Sequence, residues 1–293
     1  MTITSSPPAE PVVALPPLDA PALTVVGSKH AWYPDSACGD RCRQLDPAEA
    51  GGYLLVAIRL TGLFAMVVLL ALTGPLAAVC PRLVRRRYLV RAARALLWSI
   101  GVSVRVDDRR PFVGGTRGLI VANHTSFLDI FALAVISPAH FVAKSDVAAM
   151  PVISGIARRL GVITIDRAAL RRLPATVAEA VERLHRDSSV AVFPEGTTWC
   201  GREAGRFRPA FFQAAIDAGV PIIPVHLRFT AHDGSVTAAA SLIGDDSPLD
   251  TLRRVLAVRG LVVRATVHEA QLPDADRRAL ALRCERLVSG AAG

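Results

Sequence analysis

Leu119-Ile120-Val121-Ala122-Asn123-His124-Thr125-Ser126-Phe127-Leu128-Asp129 is the stretch that decides how this chain is read. Four apolar residues after Gly118 make a buried strand, and the polar cluster behind them makes a strand-to-helix turn that exposes a base and a carboxylate. α/β sheets put their chemistry at such turns. His124 and Asp129 are five residues apart, about 140° around a regular helix, so they meet only if His124 precedes the helix. Thr125 or Ser126 as N-cap leaves His124 in the turn and Asp129 in the first helical turn. A plainer role is open to the same residues. Ser126-Phe127-Leu128-Asp129 fits a loose capping box, in which Asp129 only caps the helix.

From Ser99 onward, short apolar runs alternate with helical stretches. Val102–Val106, Leu119–Ala122, His140–Ala143, Gly161–Ile165, Val190–Phe193, Ile222–Arg228 and Leu261–His268 are strand candidates. Between them, Ala175–Arg186 carries Val177, Val181 and Leu184 on one face, and a last helix is expected over about Asp274–Val288. This alternation predicts an α/β fold with a mixed, largely parallel sheet of about seven strands flanked by helices. There is no internal repeat. The division of the chain is then a flexible N-terminal tail (1–52), a membrane-associating helical segment (53–100) and a catalytic domain (101–293).

Polar residues follow four successive strands: His124, then Lys144, then Asp166 and Arg167, then Glu195-Gly196-Thr197. If the strands are parallel, these residues share one edge, a general base beside a cationic pocket. Each also has a structural explanation: Lys144 as a solvated charge, Arg167 as partner to Asp166, Pro194 and Gly196 as turn chemistry.

Composition narrows the possibilities. The chain has 293 residues, 52% of them hydrophobic, and a mean hydropathy of +0.38, too apolar for an ordinary soluble enzyme. A net charge of +9 suits an anionic partner: a phospholipid surface, a phosphorylated substrate or nucleic acid. Only 5% of residues are aromatic and no RNA-recognition or zinc-finger pattern accompanies the basic clusters, which argues against nucleic acid. Cys38, Cys42, Cys80, Cys200 and Cys284 are too scattered for a disulfide framework and fit a reducing compartment as plain thiols. Cys38 and Cys42 with His30 nearby are a weak metal pattern without a second cysteine pair, and no metal is expected.

Leu60–Cys80 is a run of 21 residues without a formal charge, long enough to cross a bilayer as a helix, with Arg59 able to snorkel at one end. It begins too late for a signal peptide. Arg82, Arg85, Arg86, Arg87, Arg91 and Arg94 follow at once, whereas six acidic and three basic residues precede Tyr53. The positive-inside rule then puts everything after Cys80 in the cytoplasm. Thr73-Gly74-Pro75 reads as a break that leaves Tyr53–Leu72 and Leu76–Ile100 as two helices. One span, or a hairpin dipping into one leaflet with its arginines on headgroups, are both open.

Four ordered blocks carry a resemblance over about residues 98–270. Asn123-His124-x4-Asp129, Gly161 to Arg167, Phe193-Pro194-Glu195-Gly196-Thr197-Thr198 and Val220-Pro221-Ile222-Ile223-Pro224-Val225 resemble the glycerolipid acyltransferases, most closely the 1-acylglycerol-3-phosphate type. The resemblance implies that His124 deprotonates an acceptor hydroxyl while Asp129 orients the imidazole. The hydroxyl then attacks a thioester directly, in keeping with the absence of a G-x-S-x-G elbow. It implies a substrate-binding set of Asn123, Lys144, Arg167, Glu195, Gly196, Thr197 and, toward the acyl donor, Pro224. No cofactor is implied; acyl-CoA or acyl-carrier protein is the co-substrate. A lysophospholipid, most simply lysophosphatidic acid, is the acceptor, phosphatidic acid the product, and the cell membrane the location, with the catalytic domain facing the cytoplasm.

The pattern departs from the family where Trp199 and Cys200 follow the third block, and where Phe207-Arg208-Pro209-Ala210 stands for a Phe-Lys-x-Gly segment. These changes leave open another acceptor, such as lyso-ornithine lipid. A non-catalytic lipid-binding protein of the same fold and a lipid hydrolase are competing readings, and His226 is a rival base.

Overall fold

The computed structural model describes residues 23–26, 34–43, 50–111, 117–145, 151–166, 169–186 and 188–290. In chain order the elements are β1 (Thr24–Val26), α1 (Tyr53–Val79), α2 (Arg82–Ser99), β2 (Val102–Asp108), β3 (Leu119–Ala122), α3 (Asp129–Ile136), β4 (His140–Lys144), α4 (Pro151–Leu160), β5 (Ile163–Ile165), α5 (Leu173–His185), β6 (Val190–Val192), β7 (Glu203–Gly205), α6 (Phe212–Ala218), β8 (Ile222–Thr230), α7 (Pro248–Ala257), β9 (Leu261–Val267) and α8 (Arg277–Ser289).

All seven strands expected from the apolar runs join one sheet, in the order β2-β9-β8-β3-β6-β4-β5. β8, β3, β6, β4 and β5 are mutually parallel, β9 is antiparallel to β8, and β2 is parallel to β9. The fold is therefore mixed α/β with a largely parallel sheet. β3 lies near its middle and all four of its residues are buried, as expected of a strand covered on both faces. Ile120 and Ala122 enter a core with Leu97 of α2, Leu133 of α3 and Val255 of α7. Leu119 and Val121 enter the opposite core with Leu184 of α5, Phe212 of α6 and Leu280 of α8. Because the five parallel strands point one way, the turns after β3, β4, β5, β6 and β8 share an edge.

The helix break lies elsewhere than expected. α1 runs through Pro75 to Val79, and the chain turns at Cys80-Pro81 instead. The reason is the residue before each proline. Proline crowds the Cβ and amide of its predecessor out of the helical region; Gly74 has no Cβ, whereas Cys80 is pushed to ψ 157°. Thr73 Oγ1 bonds the Leu69 carbonyl at 2.7 Å and lies 2.8 Å from the Tyr88 hydroxyl, tying α1 to α2 across the hairpin. The two helices are antiparallel, since Gly62 sits against Ser99 at one end and Gly74 against Tyr88 at the other.

Arg59 does not snorkel. Its Nη1 donates to the carbonyls of Val255, Leu256 and Val258 at 3.2, 2.9 and 2.6 Å, closing the C-terminus of α7. Gly101, at φ +84°, makes room for it: a Cβ there would lie 2.1 Å from the guanidinium.

Two pieces of the stretch read as a tail have structure of their own. β1 pairs in parallel with β7, Thr24 to Glu203 through Val26 to Gly205, and Cys38 and Cys42 are buried. Among the described residues this small sheet has only three pairs, too few to register as periodicity in sequence.

Candidate active site

β3 delivers Asn123 and His124 to the sheet edge, and a short turn brings Asp129, the first residue of α3, back beneath them. His124 Nδ1 lies 2.9 Å from Asp129 Oδ2. Asp129 is fully buried, while the His124 side chain keeps 20% of its exposure. The same Oδ2 accepts the amides of Thr125 at 2.6 Å and Ser126 at 2.8 Å, so one oxygen both orients the imidazole and ties down the turn; the N-cap position of α3, Leu128, has no side-chain cap, so Asp129 does not play the capping role that the sequence left open to it. Oδ1 is buried without a hydrogen-bond partner. With a carboxylate facing it, Nδ1 carries the proton and Nε2 the lone pair. Phe193 stacks on the imidazole, ring centroids 4.0 Å apart and 12° from coplanar, fixing the ring plane.

The turn is tied to three other elements. Asn123 exchanges both amide bonds with the backbone of Leu227 on β8, Nδ2 to the carbonyl at 2.9 Å and the Leu227 amide to Oδ1 at 2.7 Å. Glu195 accepts the His124 amide on Oε2 at 2.6 Å and the Gly205 amide on Oε1 at 3.1 Å. The Trp199 amide donates to the His124 carbonyl at 2.8 Å, and the Leu242 amide to the Thr125 carbonyl at 3.0 Å. Burial pushes the Glu195 carboxyl well above the usual range; the two amides oppose this, and the nearby Asp129 and Glu285 charges add to it. Asn123 and Glu195, assigned to substrate binding from sequence, thus spend their polar atoms on backbone groups that shape the turn.

The remaining residues spread along the edge. Gly196 turns with φ +78°, and a Cβ there would come within 3.0 Å of Pro34. Thr197 follows it, half-buried, and the Thr198 hydroxyl binds the Leu242 carbonyl. Lys144 ends β4, exposed; β6 lies between β4 and β3, so it stands about 10 Å from the β3 axis. Arg167 lies outside the described residues. Its neighbour Asp166 is 3.9 Å from Arg172. Pro224 is buried in β8 opposite Val121, and its carbonyl accepts the His268 amide at 2.9 Å. The rival base His226 alternates away from Val225 and Leu227, its Nε2 buried without a partner. Burial first, then Arg228, His268 and Arg109, lower its pKa to about 3, so it is a neutral core residue.

Arg208 belongs beside this group. Its amide binds the Pro194 carbonyl at 3.0 Å, its Nε lies 3.6 Å from where a Gly196 Cβ would be, and burial lowers its pKa. The signal was present in Phe207-Arg208-Pro209-Ala210, but nothing local in that stretch says that it folds back on the Glu195 turn.

An oriented imidazole with an open Nε2, on an edge next to cationic side chains, is equipped to take a proton from a hydroxyl bound there. Comparisons with known proteins give the family. The Acyltransferase family model matches residues 103–228. The chain is 32% identical over 186 residues to a 1-acyl-sn-glycerol-3-phosphate acyltransferase of Neisseria meningitidis serogroup B, covering 63% of this chain and 71% of that one. It is 33% identical over 206 residues to a lyso-ornithine lipid O-acyltransferase of Pseudomonas aeruginosa, covering 69% and 76%. The crystal structure of the Thermotoga maritima acyltransferase PlsC shares the fold, with a TM-score of 0.60 and 20% identity over 81% of this chain and 92% of that one. The chain belongs to the glycerolipid acyltransferase family and is an acyltransferase.

Proposed function

We propose that this enzyme moves a fatty acyl group from a thioester, acyl-CoA or acyl-carrier protein, to the free hydroxyl of lysophosphatidic acid, giving phosphatidic acid. The observation that carries this reading is the His124–Asp129 pair, with Nε2 open on an edge shared with cations. The hydroxyl proton passes to Nε2, the oxygen attacks the thioester carbonyl carbon, and the C–S bond breaks as the sulfur takes the proton back from the imidazolium. Asp129 holds the tautomer and balances the transient positive charge. Lys144 and Arg208, with Arg167 by family resemblance, bind the phosphomonoester. Gly196 and Thr197 line the acceptor turn and Pro224 the donor side, while Asn123 and Glu195 hold His124 in place.

A second reading, lyso-ornithine lipid as acceptor, is favoured by the Pseudomonas aeruginosa relative and by Trp199 and Arg208 beside the acceptor turn. An acceptor screen with labelled acyl-CoA and mass analysis of the product separates the readings. Phosphatidic acid from lysophosphatidic acid is expected; acylation of lyso-ornithine lipid alone would overturn the acceptor, and free fatty acid alone the transfer itself.

The membrane reading rests on the hairpin. α1 is 27 residues long, has a mean hydropathy of 2.5 over its best window and buries none of that window. Both ends of the hairpin return to one domain, and Arg82 to Arg94 line α2, where a perpendicular insertion would carry them to bilayer depth. An in-plane hairpin fits better, with α1 sunk below the cytoplasmic headgroups and the arginines on anionic lipid. It predicts that a Thr2→Cys variant in intact cells escapes an impermeant maleimide; labelling from outside would restore a single span.

A further inference from the structure

Cys38 and Cys42 sit on the described segment 34–43, and Cys200 lies in the loop that follows Thr198. Although 158 residues separate Cys42 from Cys200 in sequence, the three Sγ atoms lie within 4.8 Å of one another. All three are buried, among Trp199, Ile243 and Val26. Glu203 Oε2 lies 3.7 Å from Cys38 Sγ. Gly201, in the left-handed region at φ +84°, turns the chain between Cys200 and Glu203. Ordinary packing asks only that a cysteine be buried. It does not ask three from distant parts of the chain to converge on one point beside a carboxylate.

Soft sulfur donors in a reducing compartment select zinc, and a closed set of four donors is the mark of a structural site. With Zn–S bonds of about 2.3 Å, sulfurs on adjacent tetrahedral corners stand about 3.8 Å apart, within the separation seen here. We propose that Cys38, Cys42 and Cys200 ligate one structural zinc ion, with the Glu203 carboxylate as fourth donor. Binding releases one proton from each thiol that was protonated, with no redox change. The ion staples segment 34–43, whose Pro34 packs on Gly196, to the loop whose Trp199 amide holds the His124 carbonyl. It is thereby a fastening between the N-terminal segment and the acceptor turn, touching the base only through the Trp199 amide.

The test uses the full chain in detergent, grown with zinc and purified without chelator or polyhistidine tag. Elemental analysis is expected to find one zinc per chain, falling several-fold in Cys42→Ser and Cys200→Ser but not in Cys80→Ser. Should the ligand variants fail to fold, the wild-type protein decides alone. Exchange into cobalt(II) should give a thiolate-to-cobalt charge-transfer band and tetrahedral visible bands. Zinc well below stoichiometric with no such band would overturn the proposal, as would an intact mass short by the two hydrogens of a disulfide. None of these readouts depends on which acceptor the enzyme uses.

Discussion

The turn at His124 buries polar groups and binds most of them, Asp129 Oδ1 and Thr125 Oγ1 excepted, whereas the α1–α2 hairpin exposes apolar groups and is fastened at few points. Around His124, the carboxylates of Asp129 and Glu195 and the amide of Asn123 take up backbone groups from the turn after β3, from β7 and from β8. Leu54, Phe64, Leu72 and Leu76 of α1 face outward, with Arg59 at one end of the hairpin and Thr73–Tyr88 near the other. The difference is one of solvent. The site is complete within the domain, since a buried polar group without a partner costs about 1–3 kcal/mol. The hairpin leaves its apolar surface uncovered by the domain, which is what the proposed lipid contact would cover.

Separating these two regions by mutation should give effects of different kinds. His124→Ala should lower kcat/KM by about 10²- to 10⁴-fold in detergent while the protein still folds, because the proton acceptor is removed and only its contacts with Asp129 and Phe193 go with it. Retained activity toward every lysolipid would break the assignment. Glu195→Ala should instead cost about 1–3 kcal/mol of stability, measured by denaturant unfolding, since two amides lose their acceptor. Glu195 also sets a pH dependence. Its folded pKa is raised, so the folded state binds more protons than the unfolded one, and stability falls as pH rises from about 4.5 toward the folded value. Glu195→Gln should flatten that slope.

On the hairpin side, Arg59→Ala should cost roughly 1–2 kcal/mol by leaving the end of α7 uncapped, a half-exposed contact that solvent partly replaces. It should also lower activity on vesicle-borne acceptor more than on acceptor dispersed in detergent; equal loss in both would mean the hairpin does not orient the domain. Smallest is Arg86→Gln, expected to weaken binding to anionic vesicles by about 1 kcal/mol, roughly five-fold, while sparing neutral vesicles. Equal binding to both would remove the headgroup contact.

Much of this was legible in the chain. Apolar runs gave seven strands, and turn chemistry placed His124 and Asp129 at the end of one of them, because both signals are local and repeat every two or four residues. Missed were contacts whose partners lie far away. Asn123 reaches Leu227 because β8 pairs with β3, and Glu195 reaches Gly205 because the loop after β6 doubles back. The Pro75 error was also local, but it turned on the missing Cβ of the residue before proline rather than on proline itself.

By itself, then, the sequence determined the α/β sheet, the His124–Asp129 pair at its edge and the apolar segment ahead of it, each encoded within a dozen or two neighbouring residues. Only the tertiary structure decided that Arg59 caps α7, that one oxygen of Asp129 serves both the imidazole and the turn before α3, and that Cys200 meets Cys38 and Cys42. Such meetings follow from strand order and loop return, which depend on how all the elements pack together and leave no periodic trace in the chain.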